Sequence, residues 1–336
     1  TPFPDTRMEA WRRTDLRSLA VESFQLADGS KKGLRVPADL LKPVADDPHG
    51  GQIILTPRER KVWLKPELAE RGVIFTDLRT AEEKHADLLG RVLGSIVRPE
   101  EGKFSSLAAA FANTGVFLYV PRGVEVVEPL HALLWAQGAG LAHISNVVVW
   151  LEAGASATFI YETASLDENG GQTLHAGNLE MQIGEGATLR FVELQSLGEH
   201  VWNFMHERAR VERDGNLEWV FGSIGSRVTK NFAELDLVGR GATGKMSGFY
   251  FTDHQQHLDY DSQQNHLAPN TTSDLLFKGA LVDQSRAVWQ GMIYVAPGAV
   301  KTDGYQANRN LILSDTARAD SIPGLEILTD DVRCTH

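Results

Sequence analysis

From Gly115 to the end of the chain, apolar residues come in short runs rich in Val, Ile, Leu and Phe, broken by glycine-containing turns, as in GVFLYVPRGVEVVEPLHALLW and ISNVVVWLEAGASATFIYET. Runs of this length and β-branched content, bounded by turn residues, predict strands. The first hundred residues differ. Met8–Ala20 and Ala81–Val97 space their apolar residues three to four apart among charges, which predicts two amphipathic helices. Gly50–Leu64 holds short β-prone pieces, and Phe104–Ala112 (FSSLAAAFA) predicts one further helix. The change of period divides the chain into a mixed, partly helical region over 1–112 and an all-β region over 113–336.

The turns of the second region recur. Gly154-Ala155, Gly186-Ala187, Gly215-Asn216, Gly241-Ala242 and Gly298-Ala299 each lie between β-prone runs, at separations of 32, 29, 26 and 57 residues, the last near twice the others. A loose period of nearly thirty in a strand-rich chain marks coils that stack, each burying its apolar face only against its neighbours. The expected architecture is a parallel β-helix. A Greek-key sandwich would also supply short strands and Gly turns, but it does not require the same turn at a repeating interval.

Composition narrows the function. The chain has 336 residues, 42% hydrophobic and 23% charged, as in ordinary soluble domains, and no run of 18 apolar residues that could span a bilayer. TPFPDTRMEAWRR has no apolar stretch after its charges, so no secretory signal is read and a cytoplasmic location is expected. A net charge of −11, with Lys and Arg scattered among more numerous acids, argues against nucleic acid as a partner. The single cysteine, Cys334, excludes an intramolecular disulfide and a four-thiolate site within one chain.

Asp253–His266 (DHQQHLDYDSQQNH) offers metal-ligand side chains. On a strand, His257, Asp259 and Asp261 share one face while His254 and His266 point the other way unless a turn intervenes, so the stretch reads as a solvated strand and turn. The sequence contains no G-x-S-x-G elbow, no G-x-x-x-x-G-K-[ST] phosphate loop and no H-E-x-x-H helix. Because β-helices also carry carbohydrate-active enzymes, Lys301, Asp303 and Arg309 stand as conceivable acid, base or charge-stabilising groups, against a reading as a solvated turn after Gly298. In the terminal run Glu326–His336 (EILTDDVRCTH), alternation places Val332, Cys334 and His336 on one face and Asp331, Arg333 and Thr335 on the other. A thiol and an imidazole two residues apart can bind one iron or meet one partner; the other reading is a small buried cysteine and a hydrogen-bonded histidine.

PRGVEVVEPL at Pro121–Leu130, VAPGAVKTDGYQANRNLILS at Val295–Ser314 and LEILTDDVRCTH at Leu325–His336 closely resemble the SufB/SufD family, and EAWRRTDLR at Glu9–Arg17 is similar to the opening motif of its SufD branch. The Cys334-Thr335-His336 ending is the SufD form of the terminal motif. The resemblance implies a right-handed parallel β-helix and a non-enzymatic scaffold subunit of the SUF (SufB–SufC–SufD) iron–sulfur assembly complex. It implies a heterodimer with SufB, two copies of the SufC ATPase, and a nascent cluster formed near the SufB–SufD interface with Cys334 and His336 as transient iron or cluster ligands. No cofactor held stably by the chain alone is implied, and a flavin in the whole complex is left open. In the family a helical region that docks SufC follows this motif, whereas this sequence stops at His336, so attachment to SufC is in question. A homodimeric interaction module is a further alternative.

Overall fold

Beyond Thr114, successive strands go alternately to two parallel sheets, and this alternation winds the chain into a solenoid of about eight turns. The computed structural model describes residues 2–27, 35–43 and 48–336. One sheet stacks Thr114–Val120, Leu141–Leu151, Thr173–Ile183, Val201–Val211, Val228–Leu237, His257–His266, Arg286–Val295 and Arg318–Ile327; call it the inner-arm sheet. The opposite sheet stacks Leu130–Trp135, Ser156–Ala164, Thr188–Leu197, Asn216–Gly225, Thr243–Thr252, Thr272–Leu281, Asp303–Ile312 and Arg333–Thr335. Every pairing among these strands is parallel, which excludes the Greek-key alternative. Its register steps from Thr188 through Asn216, Thr243, Thr272 and Asp303 to Arg333, or 28, 27, 29, 31 and 30 residues per coil.

Alternate residues of both sheets fill the lumen. Phe159, Phe191 and Trp219 occupy one register row of the opposite sheet, all at 0% exposure, with ring centroids 5.5 and 6.3 Å apart from coil to coil. Such a core exists only because coils stack; one coil alone would leave each ring in water.

The corner between the inner-arm sheet and the opposite sheet explains the repeating turn and corrects its reading. From the second coil on, the residue two before the opposite-sheet strand is left-handed: Gly154, Gly186, Asp214, Gly241, Asn270, Lys301 and Asp331, with φ between 54° and 75°; Gly123 makes the same turn earlier, ahead of Leu130–Trp135. Asp214 therefore fills the position assigned to Gly215. The 57-residue gap is two coils, with Asn270 at the missing corner, and Lys301 rather than Gly298 makes the next. Gly, Asn and Asp enter this conformation readily, whereas other side chains pay a steric penalty. Gly186 tests the point, because a Cβ added there meets nothing within 4 Å and only the backbone would resist it. Gly186→Ala is expected to lower unfolding stability by about 1–2 kcal/mol in a urea titration; an unchanged midpoint would show that the corner tolerates any residue.

Before residue 112, Gly51–Leu55 joins the opposite sheet beside Leu130–Trp135, and Arg60–Leu64 closes that edge antiparallel. Ile74–Asp77 closes the inner-arm sheet antiparallel to Thr114–Val120. The helix expected near Phe104–Ala112 is present as Lys103–Phe111. The two amphipathic helices are not continuous. Within Met8–Ala20 only Glu9–Trp11 forms a 3-10 turn. The Asp5 and Asp15 carboxylates accept the backbone N–H of Arg7 (2.8 Å) and Arg17 (3.0 Å), local bonds that compete with a helix. Ala81–Val97 breaks at His85, giving Leu78–Lys84 and Ala86–Leu89. Beyond it, the Glu180 carboxylate of the sheet accepts the N–H groups of Gly94 (2.7 Å), Ile96 (2.8 Å) and Val97 (3.1 Å), holding that segment in turns.

The irregular N-terminal arm lies on the outer face of the inner-arm sheet. Trp11, Leu16, Leu19, Phe104 and Ala108 pack there against Ile144, Ala176, Trp202 and Phe204.

Candidate functional site

Cys334 lies in the last strand, Arg333–Thr335, paired to Asp303–Tyr305. Val332 and Cys334 are half-buried, packed on Ile293, Val295 and Ala299, while Arg333 and Thr335 are exposed, so alternation operates here as the sequence analysis expects. Cys334 thus stands in the lumen row, after Ser273 and Gly304. Burial pushes its thiol above the ordinary range and the Asp303 carboxylate adds to that, while a backbone hydrogen bond from Gly304 opposes it. The thiol is therefore the protonated form at neutral pH, and a bound metal ion or a nearby cation is needed to make it a ligand. His336, one residue past the pairing, is exposed.

Gly304 leaves a gap beside this thiol. A Cβ on Gly304 would stand 3.4 Å from Cys334 Sγ and 3.3 Å from His266 Nε2, so a second imidazole faces the same gap from the other sheet. His266 is buried, its ring nitrogens 2.8 Å from Thr271 Oγ1 and 2.8 Å from Ser273 Oγ. Its closeness to Cys334 could not be read from a separation of 68 positions.

The other residues of the 253–266 stretch separate as parity requires, but the face is not solvated. His257, Asp259 and Asp261 lie on the outer face of the inner-arm sheet, and Thr14 of the arm covers the first two. Lys230, at 0% exposure, places Nζ 2.9 Å from Asp259 and 2.8 Å from Asp261, and 4.8 Å over the Phe232 ring. The Thr14 hydroxyl donates to Asp259 and, having spent its proton, accepts from His257 Nε2–H at 2.9 Å. The cluster thus has its own cation. His254 sits at an exposed left-handed turn, 2.7 Å from Glu199 and 3.4 Å from Asp253; these carboxylates, Glu199 foremost, hold its imidazole above the ordinary range.

Lys301, Asp303 and Arg309 do not converge. Lys301 is a corner residue, and Asp303 and Arg309 point outward six positions apart on one strand, roughly 20 Å. That is too far to act on one bond.

A site that sequence reasoning missed lies inside the lumen. Glu193 on the opposite sheet and Glu207 on the inner-arm sheet turn into the lumen, where each carboxyl influences the other, and Asn231 Nδ2 donates to Glu207 at 3.1 Å. Inward parity was the available signal: Leu189, Phe191, Glu193, Gln195 and Leu197 alternate with outward positions, and a glutamate in that row needs a partner. Burial raises both acids, Glu193 to about 7, and the neighbouring carboxyl adds to the rise of Glu207. A carboxyl raised from its ordinary 4.5 stabilises the fold fully below that value, and the contribution is lost as pH rises toward 7. The double replacement Glu193→Gln, Glu207→Gln is therefore expected to exceed the parent in stability by about 2–3 kcal/mol more at pH 8 than at pH 5. Urea titrations at both pH values check this, and a difference that does not change with pH would refute it.

Residues 134–336 match the family described as SUF system FeS cluster assembly, SufBD core domain, and residues 58–132 match the SufBD protein N-terminal region. Iron–sulfur cluster assembly SufBD family proteins of Staphylococcus saprophyticus, Staphylococcus epidermidis and Staphylococcus aureus are each 27% identical over 276 residues. That alignment covers 81% of this chain and 58% of each relative, so the chain spans under two thirds of their length. The core match extends over more than half of the chain and agrees with the stacked parallel coils, and on both counts the chain belongs to the SufBD family of iron–sulfur cluster assembly proteins.

Proposed function

We propose that this chain is the SufD-type subunit of a SufB–SufD scaffold, acting without catalysis of its own, on which an iron–sulfur cluster is assembled as cargo while the SufC ATPase drives the complex. The observation that carries the reading is the Cys334-Thr335-His336 motif, with a half-buried thiol two residues from an exposed imidazole. That pair offers one soft and one borderline ligand to iron. Cys334 supplies a thiolate once iron displaces its proton, and His336 an imidazole. The outward, widely separated Asp303 and Arg309 favour this over a carbohydrate-active enzyme.

Co-expression with SufB and SufC tests the reading. Cys334→Ser and His336→Ala are expected to leave complex yield and melting temperature near the parent's, because serine keeps the size of the half-buried Cys334 and His336 is exposed, and to lower iron and sulfide per complex at least severalfold. Clusters acquired at parental levels by both variants would make the pair structural. A chain that purifies as a stable homodimer and does not exchange into a SufB complex would favour the interaction-module alternative.

A further inference from the structure

We propose that the corner where the opposite sheet turns into the inner-arm sheet carries a binding site for one borderline divalent cation such as Zn2+, held by Glu199, Asp253 and His254. The site lies apart from Cys334 and His336 and does not rest on the cluster-assembly reading.

The three side chains meet because the turns at this corner differ in length. Three residues (198–200) join Thr188–Leu197 to Val201–Val211, two (226–227) join Asn216–Gly225 to Val228–Leu237, and four (253–256) join Thr243–Thr252 to His257–His266. Glu199 and His254 stand two coils apart, about 9–10 Å in a stack of strands spaced roughly 4.8 Å. The four-residue turn reaches over the short turn between them. Ser226 of the short turn is fully buried, Arg227 Nη1 donates to the Gln255 carbonyl at 3.1 Å, and His254 Nδ1 comes within 2.7 Å of Glu199 Oε1. Asp253 adds a carboxylate oxygen 3.4 Å from the same nitrogen, and the three ligand atoms all lie within 4.8 Å of one another. Ligands on a tetrahedral ion with bonds of about 2.0–2.1 Å stand about 3.3–3.4 Å apart, so rotation of these partly exposed side chains closes the set around one ion.

Charge at the corner favours a cation. Asp283 Oδ2 accepts the His254 backbone N–H at 3.1 Å and Asp167 Oδ1 accepts that of Glu199 at 2.7 Å, so four carboxylates gather here against one imidazole. The guanidinium of Arg227 is turned to Gln255, to its carbonyl and, at 3.5 Å, to its side-chain oxygen. In the metal-free chain a proton on His254 supplies the positive charge that Glu199, Asp253 and Asp283 draw to it. A divalent ion takes the place of that proton, which is released, and brings one charge more to the same carboxylates. One imidazole nitrogen with two carboxylates suits Zn2+ and its transition-metal neighbours, whereas Ca2+ takes six or more oxygen ligands.

The test is a Zn2+ titration by isothermal calorimetry at pH 8, on the untagged chain carrying Cys334→Ser and His336→Ala so that the terminal motif does not compete. Saturable binding of one Zn2+ per chain is expected. In that background Glu199→Gln, Asp253→Asn and His254→Ala are each expected to weaken it by more than the roughly tenfold that losing even an outer partner of a metal ligand costs. His254→Lys keeps a cation for the ion pair but supplies no imidazole, and is expected to lose Zn2+ as His254→Ala does. All four variants should retain the parent's cooperative unfolding without metal, because the side chains they change are partly exposed. No saturable one-to-one binding, or binding at parental affinity in Glu199→Gln and His254→Ala or in His254→Lys, would overturn the proposal and leave the three residues an ion-pair cluster only.

Discussion

Lys230→Met is expected to lower stability by about 3–5 kcal/mol, the range for removing one partner of a buried ion cluster. The loss has little to do with the strength of the two ion pairs. Asp259 is fully buried, and without the ammonium it would have to stay charged beside Asp261 with only the more distant Arg13 to offset the pair, or take up a proton. Asp261 is already pushed up to about 6 by burial, with Lys230 pulling it back down. Methionine fills most of the lysine stem, so the change probes charge more than packing. Adding Asp261→Asn should restore at least about 1 kcal/mol of the loss, because one uncompensated carboxylate is removed with it. Thermal or urea unfolding of the three proteins decides the matter. If Lys230→Met costs less than about 1 kcal/mol, water reaches this cluster and the arm does not seal it.

The second large effect is expected at Trp11. Its ring, 8% exposed, lies 5.7 Å from Phe104, 5.9 Å from Phe204 and 5.7 Å from Phe232, so it joins the arm, the Lys103–Phe111 helix and two strands. Truncating a buried tryptophan costs about 3–5 kcal/mol. Here the loss should appear mainly as release of the arm, because the solenoid's lumen is built without it. The rest of the arm is held by Leu16, Leu19, the Thr14 bonds and Gln172, which accepts from the Ala20 N–H at 2.8 Å and donates to the Ser18 carbonyl at 2.7 Å. In Trp11→Ala, faster amide exchange is expected over Leu16–Leu19 and faster tryptic cleavage at Arg12 and Arg13, with strands beyond Thr243 still protected. Releasing the arm also wets the Lys230 cluster, so Lys230→Met should cost less in the Trp11→Ala background than alone. Strictly additive losses would show that arm and cluster are independent.

Much of this molecule follows from pattern along the chain. Strand-like runs past Gly115, a turn about every thirty residues, and the alternation that groups His257 with Asp259 and Asp261, and Val332 with Cys334, depend on neighbours two to four positions apart, and the sequence determined them. Other features depend on residues one coil away, and only the tertiary structure decided those. Asp214, Asn270 and Lys301 take left-handed turns because the stacked corner demands that geometry whichever residue stands there. Met8–Ala20 has the spacing of an amphipathic helix, yet sheet pockets for Trp11, Leu16 and Leu19, together with the Asp5 and Asp15 turns, offset what a short isolated helix would gain. Lys230 lies beside Asp259, and Glu193 across the lumen from Glu207, through pairing between coils. Helical and strand periods report which side of an element a residue faces; what meets it there is set by coil length and register, which sum over some thirty residues and leave no local mark.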